Sequence, residues 1–411
     1  MRQLTHCVAF CCGLIATIAS GQESVSIATP DRFPDPKTSR YISGELTMVD
    51  HVNRMGILRG DRLDSQIKYH QDLPLKFSML PYGSIFYRGA PASLADIPIG
   101  THLHGWFHLG TGGEFEVKLK ETDYAATVSN QPIDRSPDSP WNQVLRLEDD
   151  FTFYLRQQVG WEIQSIDESQ KQLVARRVPI PENTQLSELA GYPTAEGLHG
   201  EQTFDYTVAT RVWKQNQIAS TEDLQVGQVV RYNLTWATMY GPGRLTDIWI
   251  DPESRATASL QQRQQFEQFT MDRGFPGMVT DIEYQTKGEG VVTVHLYAGF
   301  DSKHLPLFPI KRNARVIVAE STLRTYDASN DGQFVHVTQW IDNNASNANH
   351  PLAPGSSGWV IRFQMKQLLE GIRPGRTVRL KSNEWTRHAL PREEKLSPFD
   401  LRPIVLLPPT E

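Results

Sequence analysis

The chain has 411 residues, a formal net charge of −6 and three cysteines. A balance this mild does not imply a polyanionic partner or a halophilic surface. The three cysteines are Cys7, Cys11 and Cys12. All lie in a segment that reads as a cleaved leader, so in the mature chain disulfides, a cysteine nucleophile and thiolate metal sites are excluded together.

That leader spans residues 1–21. Arg2 supplies a positive start, Cys7 to Ala19 is apolar and short, and the small residues Ala19, Ser20 and Gly21 precede the polar Gln22 and Glu23. This is the layout of a secretory signal peptide, and it predicts an exported, periplasmic or extracellular protein. No later stretch is long and apolar enough for a membrane span, so the mature chain is expected to have no transmembrane segment. Residues 22–40 carry Pro30, Pro34 and Pro36 among polar residues and read as a flexible linker.

Beyond the linker the chain repeats itself. Phe77, Met79, Ile85, Asp96, Ile97 and Gly100 recur as Phe204, Tyr206, Val212, Asp223, Leu224 and Gly227, with every spacing kept. An internal repeat of this kind changes the whole fold reading. Each repeat has an opening strand in which two aliphatic residues three apart precede an acid. These are Leu46, Val49 and Asp50, then Ile163, Ile166 and Asp167, then Val279, Ile282 and Glu283. Each also has a closing strand after its glycine. Leu103 and Phe107 alternate with His102, His104, Trp106 and His108, and Val230, Tyr232 and Leu234 alternate with Val229, Arg231, Asn233 and Thr235. Val378 and Leu380 alternate with Thr377, Arg379 and Lys381 after Gly375. Strict alternation predicts one buried and one wetter face per strand.

Helical spacing falls between the units. Leu147, Phe151, Tyr154 and Leu155 predict a helix over 145–158, and Glu148, Asp149 and Asp150 read as its charged face. Leu260, Phe266 and Phe269 predict a second helix over 254–273, its glutamines facing water, stopped by Gly274 with Pro276 beyond. The division is then unit 1 at 41–125, helix plus unit 2 at 141–250, and helix plus a diverged unit 3 at 251–411. Unit 3 has an insertion at 327–358, read as a surface loop around a short strand at 334–337. Ile404 to Leu407 reads as a final edge strand.

The predicted fold class is mainly β with short helices: two or three OB-like, Greek-key small barrels in tandem. An opening strand, an extended Phe-x-Met stretch and a closing Asp-Ile-x-x-Gly strand resemble exported bacterial proteins of uncharacterised function built from such barrels. Unit 1 also resembles the periplasmic copper/silver chaperones, which bind a soft ion with histidine, two methionines and a stacked tryptophan. Leu73 and Leu75 stand where that family's methionines belong, and His70 is its one possible ligand here. Without thioether sulfur the resemblance implies the barrel and not the Cu(I) chemistry.

Two clusters could carry function. His102, His104 and His108 share a strand face, and imidazoles two residues apart can share a Zn²⁺ or Cu²⁺ ion. The alternative is a solvated strand face without metal. Arg376, Arg379 and Lys381 share a basic stretch of unit 3 that could bind an anionic polymer, or be an ordinary charged face. No P-loop, dinucleotide fingerprint, nucleophile elbow or His-Glu-x-x-His motif occurs. The leading expectation is an exported, non-enzymatic binding or structural protein of the cell envelope, with no cofactor. Its partner would be an anionic polymer or a protein rather than nucleic acid. A metal-binding protein using the histidine face is the alternative, and a secreted hydrolase a distant third.

Overall fold

The computed structural model describes residues 39–51, 54–61, 74–108, 142–180, 200–235, 243–318, 329–339, 355–368 and 372–382. The leader, His70, Leu73 and the tail strand at 404–407 lie outside them.

The described residues form three closed barrels. The first is built from β1 (Arg40–Asp50), β2 (Met55–Gly60), β3 (Pro74–Tyr87), β5 (His102–His108) and β6 (Gln143–Asp149), with the short β4 (Ala90–Pro91) beside β3. Its strands run β2-β1-β5-β6-β3 and close through β2–β3, and β3 and β6 are parallel. The second has β7 (Val159–Asp167), β8 (Gln172–Pro179), β9 (Glu201–Asp205), β10 (Arg211–Lys214), β11 (Gln217–Ala219), β12 (Val229–Thr235) and β13 (Arg244–Trp249). It closes in the same order through β13–β9, again a parallel pair. The OB-like expectation holds for both.

The third barrel has six strands: β14 (Phe275–Tyr284), β15 (Gly290–Tyr297), β16 (Asn313–Val318), β17 (Ser329–Gln339), β18 (Ser356–Met365) and β19 (Thr377–Ser382). All its pairings are antiparallel. Here the short strand expected at 334–337 is longer, and residues 327–328 and 340–354 of the expected insertion lie outside the described residues. Residues 329–339 are a full barrel strand that places Phe334 in the core and leaves Gln333, Val335 and His336 exposed.

The repeat has a backbone basis. The Gly100 amide donates to Leu46 over 2.7 Å, the Gly227 amide to Ile163 over 2.7 Å, and the Gly375 amide to Val279 over 2.8 Å. In return Leu46, Ile163 and Val279 donate to the carbonyls of Thr101, Gln228 and Arg376, each at 2.9 Å. All three glycines have positive φ, +92°, +84° and +84°, which a side chain would strain. Immediately after each of these aliphatic residues the opening strand carries a β-bulge. The extra residue turns the strand by one position, so aliphatics three apart face the same core.

One bulge also overturns a helix. Val144 and Leu147 line the first barrel, which resembles helical spacing. Yet Trp106 pairs with Arg146 and Phe107 with Val144, so β6 bulges at Leu145 and closes the barrel as a strand. The helix, α1 (Asp150–Arg156), begins only afterwards, with Asp149 as its N-cap. The first barrel thus extends to Asp149, past the expected limit at 125.

The second helix, α2 (Pro252–Arg273), starts at the Asp251 cap and ends at Gly274, as its sequence predicts. Its glutamines do not all face water. Gln262 is buried and donates to the Pro91 carbonyl of the first barrel, while Leu260 is exposed. One apolar cluster joins the barrels: Leu80, Tyr82 and Trp106 of the first, Trp161, Phe204 and Tyr232 of the second, and Met278 and Tyr297 of the third. No described helix is long and apolar enough to cross a membrane.

Candidate functional site

The outer faces of β5 and β12 meet α1 at the seam between the first two barrels. The wetter-face expectation fails here. His102, His104 and Trp106 are buried, and so are Arg231 and Asn233 of β12. Alternation correctly places Leu103 and Phe107 in one barrel core and Val230 and Tyr232 in the next cluster. It carries no information about a second barrel covering the other face. Asn233, which begins an Asn-x-Thr glycosylation pattern, is enclosed as well.

Helix α1 supplies the acid. Because Asp149 caps the helix, Asp150 sits at its first position over β5. Its Oδ1 lies 2.8 Å from His102 Nδ1 and 3.1 Å from His104 Nε2. Its Oδ2 accepts the Leu234 amide of β12 at 2.9 Å. The far nitrogen of each ring is also held: His102 Nε2 stands 2.8 Å from Asp61 Oδ2, and His104 Nδ1 stands 2.6 Å from the Tyr41 hydroxyl. Ser43 donates to Asp61 over 2.5 Å. The His104 ring stacks on Phe153 with centroids 3.8 Å apart.

Protonation follows from these contacts. Burial alone would lower the pKa of His102. Asp150 and Asp61, one at each ring nitrogen, outweigh burial and raise it well above the ordinary value. His102 is then an imidazolium donating at both nitrogens. Burial lowers the pKa of His104, whose ring is neutral, donating from Nε2 and accepting from Tyr41 at Nδ1. Burial opposes ionisation of Asp150 and Asp61, but His102 and the hydrogen bonds hold both below the usual carboxylate range. Burial pushes Asp149 up to about 6, against donors from Thr152, Arg88 and Asn233.

The acidic run at 148–150, read from sequence as a solvated helix face, is buried throughout. Glu148 is gripped by Arg146 at 2.9 Å and Arg156 at 2.7 Å. Those guanidiniums lie over Phe86 and Trp106.

Of the predicted metal residues, His102 and His104 come together, with Asp150 as the third possible ligand. His108 does not join them. Four residues along a strand separate it from His104 by roughly 13 Å, and the bulge at this point is in β6, not β5. Asp61 and Tyr41 carry no sequence signal for this role, and Asp150 reads from sequence only as part of a charged helix face. The signal that could have found Asp150 is its place just after a helix cap.

In the third barrel, Lys381 is buried and donates to the Asp272 carbonyl over 2.8 Å, and Arg379 donates to Gly274 over 3.1 Å. Both grip the C-terminus of α2, where its dipole favours cations. Arg376 lies in the Gly375 corner, half-buried.

No protein-family model and no curated protein matches this chain.

Proposed function

We propose that this is an exported, non-catalytic binding module of the cell envelope, whose barrels act as one rigid body toward a polymer or protein partner. The observation that supports it is the seam. The side chains with the most reactive chemistry, His102, His104, Asp150 and Glu148, are enclosed between packed elements and occupied with one another. Such a joint favours a fixed spacing of outer surfaces over turnover. Exposed aliphatics also recur beside the corner glycines, Ile99 before Gly100 and Val226 before Gly227, 66% and 64% exposed. Equivalent apolar points on two rigidly joined barrels suit an extended partner that touches both.

The test uses the purified mature chain and two probes. Cell-envelope fragments should retain it in co-sedimentation, and replacing Ile99 and Val226 together by serine should release it. Turnover of a chromogenic ester, phosphate or glycoside that is lost in Asp150→Asn would overturn the reading in favour of an enzyme.

A further inference from the structure

We propose that His102 Nδ1, His104 Nε2 and Asp150 Oδ1 form a site for one divalent transition-metal ion of the zinc type, set in the seam between the first two barrels. The proposal is independent of the binding role above.

Three donor atoms, one per residue, lie within 4.8 Å of one another. In a tetrahedral site with bonds of about 2.0–2.1 Å, donors stand roughly 3.3 Å apart. The carboxylate oxygen is 2.8 Å from one nitrogen and 3.1 Å from the other. Both O···N separations lie within a few tenths of an ångström of that spacing.

The surroundings of the donors are those that metal sites use. A ligating histidine commonly gives its other nitrogen to a carboxylate or another oxygen, which fixes its tautomer and its aim. Here Asp61 holds the far nitrogen of His102 and Tyr41 holds that of His104. Ser43 fixes Asp61, and the Leu234 amide fixes the free oxygen of Asp150. Each ligand is thus oriented by a partner on a different element.

Charge and donor type set the class of ion. Two carboxylates, Asp61 and Asp150, face two rings. Binding would release the Nδ1 proton of His102 to solvent and move the proton of neutral His104 from Nε2 to Nδ1, where the Tyr41 hydroxyl accepts it. A dication with neutral imidazoles then balances the site. Imidazole and carboxylate without sulfur suit Zn²⁺ and its neighbours and not Cu(I). The site therefore differs from that of the chaperones unit 1 resembles, and from a three-histidine site, since Asp150 takes the place of His108. Of the groups around the site, Asp61 reaches solvent, its side chain 29% exposed.

The experiment takes tag-free mature protein, stripped with a chelator, and titrates it with zinc. About one ion per chain should bind, with a rise in Tm, because the metal favours the folded state alone. Asp150→Asn should abolish stoichiometric uptake, Asp61→Asn should weaken it by about 10–100-fold, and His108→Ala should leave it unchanged. With ¹⁵N-histidine labelling, zinc should shift the Nδ1 signal of His102 and the Nε2 signal of His104 and spare His108. This reading of the unmodified protein decides the matter even if a variant does not fold. No uptake by the unmodified chain, equal uptake by folded Asp150→Asn, or shifts confined to other histidines would overturn the proposal.

Discussion

Asn233 of the second barrel donates from Nδ2 to Asp149 Oδ2 over 2.8 Å, while its Oδ1 accepts the Phe151 amide at 2.9 Å. One amide thus serves both the cap and the first turn of α1 from across the seam. Asn233→Ala removes a donor from a buried carboxylate and an acceptor from a buried amide. A loss of about 1–3 kcal/mol is expected in urea unfolding. A loss under about 0.5 kcal/mol, the range of an inert surface change, would mean that α1 is not held this way.

The two corner glycines offer a comparison. A Cβ at Gly227 would meet nothing within 4 Å, whereas one at Gly100 would stand 3.4 Å from Thr235 Oγ1. Gly227→Ala should therefore cost only the left-handed backbone penalty, about 1–2 kcal/mol. Gly100→Ala should cost about the same, since its Cβ would meet Thr235 at an ordinary van der Waals distance. Thermal unfolding of the pair checks this, and a stabilised Gly227→Ala would contradict the shared corner.

Contact between the first and third barrels can be broken at one atom. At Gly355, φ is +83° and an added Cβ would fall 2.5 Å from the Tyr82 carbonyl. Neither backbone can yield cheaply. Gly355→Ala should lower Tm and raise hydrogen exchange on both sides of the contact. Exchange rising in the third barrel alone would show that the contact does not couple them.

His295, on β15, gives a pH prediction. Burial lowers its pKa below the ordinary 6.5. Between the lowered value and 6.5 the unfolded chain binds more protons, so stability rises with pH through that window. The contribution is complete above about pH 6.5 and is lost as pH falls below it. Subtracting the stability curve of His295→Gln from that of the native chain should leave this slope. A flat difference between pH 5 and 7 would rule it out.

Much of the fold was written in local pattern. Aliphatics three apart, an acid and a distant glycine mark an opening strand and its corner, and the bulge seen in each strand explains that spacing. The same device misleads at Leu145, where a bulged strand imitates a helix. The site was legible only in part. His102 and His104 share a face by strand periodicity, but the acid they meet comes from a helix 46 residues or more away. Burial of that face depends on a second barrel, which no strand pattern encodes. The polar sequence of residues 329–339 hid a barrel strand because only its inward positions, chiefly Phe334, need be apolar.

The central claim is that the first two barrels are joined through a buried histidine–aspartate seam into one cooperative body. Native-state hydrogen exchange measured on the amides of β5 and β12 tests it most directly. Both strands should open with the same free energy in the native chain, and Asp150→Asn should lower both together. Different opening free energies for the two strands in the native chain, or a variant that loosens one and spares the other, would contradict it.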